Sequence, residues 1–163
     1  MLKQGFKFTL ILILAALVIP ARAQDRLKVY AGFSNLSGEV TGENVKGVNL
    51  AGQVRLYSYE TLKVEAVGDF GVGVRSPGVE VYQGLAGPQV SLDLLDGRVT
   101  PFVRSLFGVT RQTGQSFYTH SIGGGLDINF GKVFVRPLQL DSQTIDTLPL
   151  HVRRIGGGVG IRF

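Results

Sequence analysis

The chain contains no cysteine, so no disulfide can hold it, and an exported domain of this size must be stable through packing and hydrogen bonding alone. Past its first two dozen residues it has no apolar run near the ~20 residues a membrane helix requires. Apolar residues at helical spacing are nearly absent and no stretch reads as a linker, which excludes helical bundles and multidomain arrangements. A strong charge excess is also missing once the leader is set aside. The whole chain carries 17 Lys and Arg against 12 Asp and Glu. Lys3, Lys7 and Arg22 belong to the leader, leaving 14 against 12, so a pI of about 9.7 makes no case for nucleic acid.

What is present begins with that leader. Lys3 and Lys7 form a basic start, residues 8–19 an apolar core too short to span a bilayer, and Ala21-Arg22-Ala23 a small-residue cleavage site before Gln24. Residues 1–23 are expected to be a cleaved signal peptide and residues 24–163 one domain. The chain's 23 glycines, all but Gly5 within that domain, and alternating apolar residues point to β structure throughout it.

Eight segments of strand length follow: 27–36, 48–58, 62–75, 80–94, 99–110, 117–130, 133–141 and 151–163. Short turns at 59–61, at Asp96-Gly97 and at Gly131-Lys132 alternate with longer polar connections at 37–47, 76–79, 111–116 and 142–149. Pro137 removes a ladder donor, so a bulge or early break is expected there. The final segment puts Ile155, Val159, Ile161 and Phe163 on one face, and Arg154, Arg162 and three glycines on the other. A chain ending flush on such a strand must pair it at once, as a closed barrel does.

The charges decide which face is which. Arg55, Lys63, Glu65, Asp69, Asp93, Arg104, Asp127, Arg136, Arg154 and Arg162 all fall on the polar faces. A soluble barrel would wet that face; a membrane barrel encloses it and turns its apolar face to lipid. Export, the even strand count and the aromatics favour the membrane. Phe33, Tyr82, Phe107 and Tyr118 fall outward at the loop ends, and Phe130 and Phe163 outward at the turn ends, as two girdles. The fold class is therefore all-β, an eight-stranded antiparallel up-and-down transmembrane β-barrel with both ends on the periplasmic side.

At V-T-P-F-V-R-S-L-F-G from Val99, S-I-G-G-G-L-D-I from Ser121, V-R-P-L-Q-L-D from Val135 and G-V-G-I-R-F from Gly158, the chain resembles the small outer-membrane β-barrels of the OmpA/OmpX type. The likeness covers nearly all of residues 26–163. It implies a bacterial outer-membrane address, outer-membrane lipids including lipopolysaccharide as partners, and a terminal Phe163 read by the barrel-assembly machinery. No peptidoglycan-binding domain is expected to follow the barrel.

Candidate chemistry is sparse. The glycine triplets at 123–125 and 156–158 lack a phosphate-loop pattern and read as relief of crowding for long arginines in a narrow barrel. His120 and His151, far apart and without cysteine, make a poor metal set and are expected at the surface. Neighbours on a strand face opposite ways, so His120 and Ser121 cannot act as base and nucleophile in one site. No catalytic, cofactor-binding or metal-binding residue is assigned, and no cofactor. The expected role is structural or surface-binding in the cell envelope, with Arg111, His151 and Arg153 facing lipopolysaccharide phosphates at the outer rim. Alternatives are a narrow passive channel and a lipid A acyl-modifying enzyme.

Overall fold

The structure, a computed structural model, describes residues 26–38, 44–75, 78–146 and 149–163. The proposed signal peptide lies outside the described residues. Eight strands make up the fold: β1 Leu27–Gly38, β2 Asn44–Tyr59, β3 Leu62–Arg75, β4 Val79–Leu92, β5 Val99–Gln112, β6 Gln115–Phe130, β7 Val133–Asp146 and β8 Pro149–Arg162. Each pairs antiparallel with its sequence neighbours, and β8 closes on β1 along a ladder from Lys28–Arg162 to Gly38–Val152. With β8 paired to β1, the described strands leave no sheet edge open.

Ladder partners spiral around the wall. A path from Leu36 through Arg154, Asp141, Gly123, Arg104, Gln89, Glu65 and Arg55 ends on Arg26, ten residues below its start. A stagger of ten over eight strands tilts every strand, and so small a number of strands leaves a bore that side chains can fill.

Alternation then sorts the side chains as expected. Lys28, Lys63, Glu65, Asp69, Arg104, Asp127, Arg136 and Arg154 are buried in the lumen, while Phe33, Val48, Phe70, Val103, Ile122 and Val159 face outward, each more than half exposed. Both expected girdles face out, and Tyr57 and Tyr59 add to the lower one. On β5, where both faces carry apolar residues, Phe102 and Leu106 point inward beside Arg104.

The outer connections differ from expectation. The expected loop at 111–116 is a two-residue turn at Thr113-Gly114, whose φ values of 52° and 80° suit a tight hairpin. Residues 142–146 continue β7, and most of 37–47 lies in β1 and β2. Polar residues occupy a ladder as well as apolar ones do; the loss of hydrophobicity marks where the wall leaves the apolar zone, not where pairing stops.

Two bulges interrupt the ladders. On β2 an extra residue, Leu56, sits between Arg55 and Tyr57. On β7 one extra residue lies between Arg136 and Gln139, where Pro137 led us to expect it. Pro137 and Leu138 both face outward, so alternation changes phase and Gln139, Asp141 and Gln143 turn into the lumen.

Candidate functional site: the sealed lumen and the outer wall

The lumen is closed by layers of bonded polar side chains. At mid-height, Arg104 and Arg154 share two carboxylates. Arg104 donates to both oxygens of Asp141 at 3.0 and 2.9 Å and to Asp69 at 3.0 Å. Arg154 donates to Asp141 at 2.9 Å and to Asp69 at 2.7 Å. The four charges cancel, come from β3, β5, β7 and β8, and are almost wholly buried. Burial of unpaired charge would be prohibitive, so this square exists only as a complete set.

Above it, Gln83 and Gln143 exchange amide hydrogen bonds of 3.0 and 3.1 Å across the barrel, and Arg154 donates to Gln83. Below it, Arg136 grips Asp127 through two donors at 2.7 and 3.1 Å. Its guanidinium lies 4.2 Å from the Phe102 ring centre and 4.5 Å from that of Tyr30. Lower still, Lys28 pairs with Glu65 at 2.8 Å, and Lys63 pairs with Asp93. The expected pairing of inward bases with inward acids is thus present for these groups. Arg162 and Arg55 are the exceptions among the expected inward charges: Arg162 lies half-buried at the turn end and donates to the Gly131 carbonyl, and half-buried Arg55 has no carboxylate partner among the described residues, its Nε left without a hydrogen bond.

The glycine triplets make room, but not directly for arginines. In the 123–125 triplet a Cβ on Gly125 would strike the Phe102 ring and one on Gly123 the Asp141 carboxylate; in the 156–158 triplet a Cβ would meet neighbouring backbone carbonyls, and Gly160, two residues beyond it, makes room for the Phe134 ring. The space goes to the groups that hold the arginines. Just above the charge square, a cavity of about 10 Å³ beside Gly47, Gly73 and Arg154 has room for about one water.

Sequence reasoning missed two features. Asp141 had been placed where a strand gives way to a loop; the β7 bulge brings it into the central square. The phase change at Pro137 was the available signal. The second is on the outside. His120 faces outward and Ser121 is buried in the lumen, as alternation requires, but His120 Nε2 lies 3.1 Å from Ser105 Oγ on the neighbouring strand. The imidazole also stacks on Phe107 at 4.5 Å. This serine and histidine therefore meet in the lipid-facing wall across the β5–β6 ladder, where Phe107 pairs with His120. The His151 side chain lies outside the described residues. No cluster of three or more His, Asp or Glu fit for a metal occurs among the described residues.

No protein-family model matches the chain, and no curated protein matches it in sequence. Solved structures do match. Neisserial surface protein A is 12% identical with a TM-score of 0.65, over 84% of this chain and 96% of that one. This chain has the fold of the small eight-stranded outer-membrane barrels. Ail, the attachment invasion locus protein of Yersinia pestis, shares that fold at 17% identity and a TM-score of 0.56, over 85% of this chain and 97% of Ail. The outer membrane enzyme PagL shares it at 12% identity and a TM-score of 0.59, over 83% of this chain and 99% of PagL. Outer-membrane barrels of this size turn an apolar band to lipid and enclose a polar interior, the arrangement of side chains seen here.

Proposed function

We propose that the protein resides in a bacterial outer membrane as a barrel with a structural or surface-binding role, neither a channel nor a catalyst. The observation that carries this reading is the charge square of Arg104, Arg154, Asp69 and Asp141, four almost wholly buried side chains that bond to one another across the lumen at mid-height. With the lumen filled and the wall covered by lipid, the outer rim is the surface left for partners. Lipopolysaccharide is the lipid partner we assign there. The terminal strand and Phe163, outward and 57% exposed, are assigned to the barrel-assembly machinery. The test is electrical and biochemical together. Protein that fractionates with outer membrane and migrates differently unboiled should show no steady single-channel steps in planar bilayers; stable steps would replace this reading with a pore.

A second reading, an acyl hydrolase acting on membrane lipid, is favoured by the Ser105–His120 contact. A hydroxyl nucleophile and a base at 3.1 Å are the first two parts of such a site. Against it, the two positions lie within a continuous ladder that already occupies the local backbone donors, leaving none to stabilise an oxyanion. Incubation with lipid A in detergent should therefore release no fatty acid. Release that disappears in Ser105→Ala would establish the hydrolase.

A further inference from the structure

The β4–β5 ladder climbs from Ser91–Phe102 to Val81–Gln112 and stops there. β4 stays paired with β3 through Glu80 and Val79, while β5 turns into β6 at Thr113-Gly114. Above Val81 the two hairpins therefore part. A cavity of about 480 Å³ opens between them, lined by Gly78, Glu80, Tyr82, Arg111, Thr113 and Gly114. All six residues are exposed, so the cleft is open to the outside. Gly78 and Gly114, with φ of 96° and 80°, leave its lips bare, since nothing stands within 4 Å of where a Cβ would be.

Ladder pairing sets the floor of this cleft. Tyr82 and Arg111 are direct partners and both are exposed on the outer face, so ring and guanidinium rise side by side from Cα atoms ~5 Å apart. The Tyr82 hydroxyl donates to Glu80 Oε2 at 2.5 Å, which holds the carboxylate beside the ring. Arg111 has no hydrogen-bond or ion-pair partner among the described residues. The cleft thus presents an aromatic ring, an acceptor, a guanidinium with its donors unused and the Thr113 hydroxyl. Its two charges are of opposite sign and cancel.

These features select among ligands. A phosphate or a sulfated chain matches Arg111 but meets the like charge of Glu80. A small zwitterion could pair with both charges, but ion pairs open to water contribute little, and a single tyrosine is no aromatic cage for an ammonium group. A sugar ring matches the whole set. Each hydroxyl both donates and accepts, so neighbouring hydroxyls serve Glu80 and Arg111 together. The C–H face of the ring packs on an aromatic side chain, and a chain of rings can pass through a cleft with bare lips.

We propose that the cleft between the β3–β4 and β5–β6 hairpins binds an uncharged saccharide chain, with Tyr82 as the stacking platform, Glu80 as acceptor and Arg111 as donor. The proposal rests on the surface-binding reading above and adds to it the ligand class and the residues that select it. The full chain, folded in phosphatidylcholine nanodiscs free of lipopolysaccharide, is applied to an array of uncharged and sulfated glycans, and the uncharged glycan retained best is then titrated. The native chain should retain uncharged glycans, with an affinity that changes little with salt. Tyr82→Ala and Arg111→Gln should each weaken that affinity about ten-fold, with the heat-dependent band shift showing that both variants fold. Lys132→Gln, at the opposite end of the barrel, should bind as the native chain does. Failure to retain any uncharged glycan, retention of sulfated glycans alone, or undiminished affinity in folded Tyr82→Ala overturns the proposal. Lipopolysaccharide added to the nanodiscs separates two sources of the sugar: lost binding marks a membrane glycolipid as the occupant, and unchanged binding a soluble glycan. Native chain that does not enter nanodiscs would remove the outer-membrane reading itself; chain that enters and retains no uncharged glycan removes only this inference.

Discussion

At the scale of single residues, the lumen shows why a narrow barrel selects for glycine opposite bulk and for charge in matched sets. Asp141 accepts from Arg104, Arg154 and Gln139, and none of these donors has bulk water as a substitute. Asp141→Asn removes one negative charge from a square of four and leaves two guanidiniums facing Asp69 alone. We predict a loss of about 3–5 kcal/mol, the cost of stripping one partner from a buried ion pair. The exposed Asp146→Asn on the same strand should change stability by no more than about 0.5 kcal/mol. The urea dependence of the folded-band shift on gels measures both. Equal midpoints for the two variants would mean that water reaches the square and screens it.

At the scale of elements, bulge and alternation together decide what each strand presents. Deleting Pro137 removes the extra residue of β7 and lets Arg136, Leu138 and Gln139 alternate without a phase change, with Asp141 still inward. We expect that deletion to fold. Deleting Leu126, in a stretch of β6 with no surplus residue, reverses the faces on one side of the gap and should abolish the heat-dependent band shift. Similar behaviour of the two deletions would contradict the assignment of the bulge to β7. The outward face gives a second prediction at this scale. Val103 is 64% exposed within the apolar wall. Val103→Arg should cost ~2–4 kcal/mol if that face meets hydrocarbon near mid-membrane. A change within about 0.5 kcal/mol would be the behaviour of a soluble barrel, whose outer face is wet.

At the scale of the whole molecule, an even number of strands returns the chain to its starting side, so the turns at Glu60, Asp96 and Gly131 share one end with Arg26 and Phe163. On the proposed outer-membrane reading, export followed by insertion puts that end toward the periplasm. Cysteine placed at Gln115 should accordingly react with an impermeant maleimide on intact cells, and cysteine at Asp96 should react only after the outer membrane is opened. The reverse labelling would invert the barrel.

Strand number, barrel closure and the sense of the two faces were legible in the sequence, because side-chain direction has a period of two and only one face of each strand carries charge. Setting Glu65 and Asp69 opposite Phe70 needed only counting; placing them inside also took the leader, the even strand count and the aromatic girdles. The ends of β5, β6 and β7 were not legible, since polar residues above the lipid edge pair as readily as they loop. Partnerships in the lumen were decided by the tertiary structure alone: Asp69 and Arg154 meet across 85 positions of chain because stagger and closure bring β3 and β8 to one height. The same holds for Asp141, turned inward by one surplus residue, and for Ser105 beside His120. Alternation along a strand is local and can be read from neighbours, whereas contacts across a closed lumen depend on the register of every ladder between them.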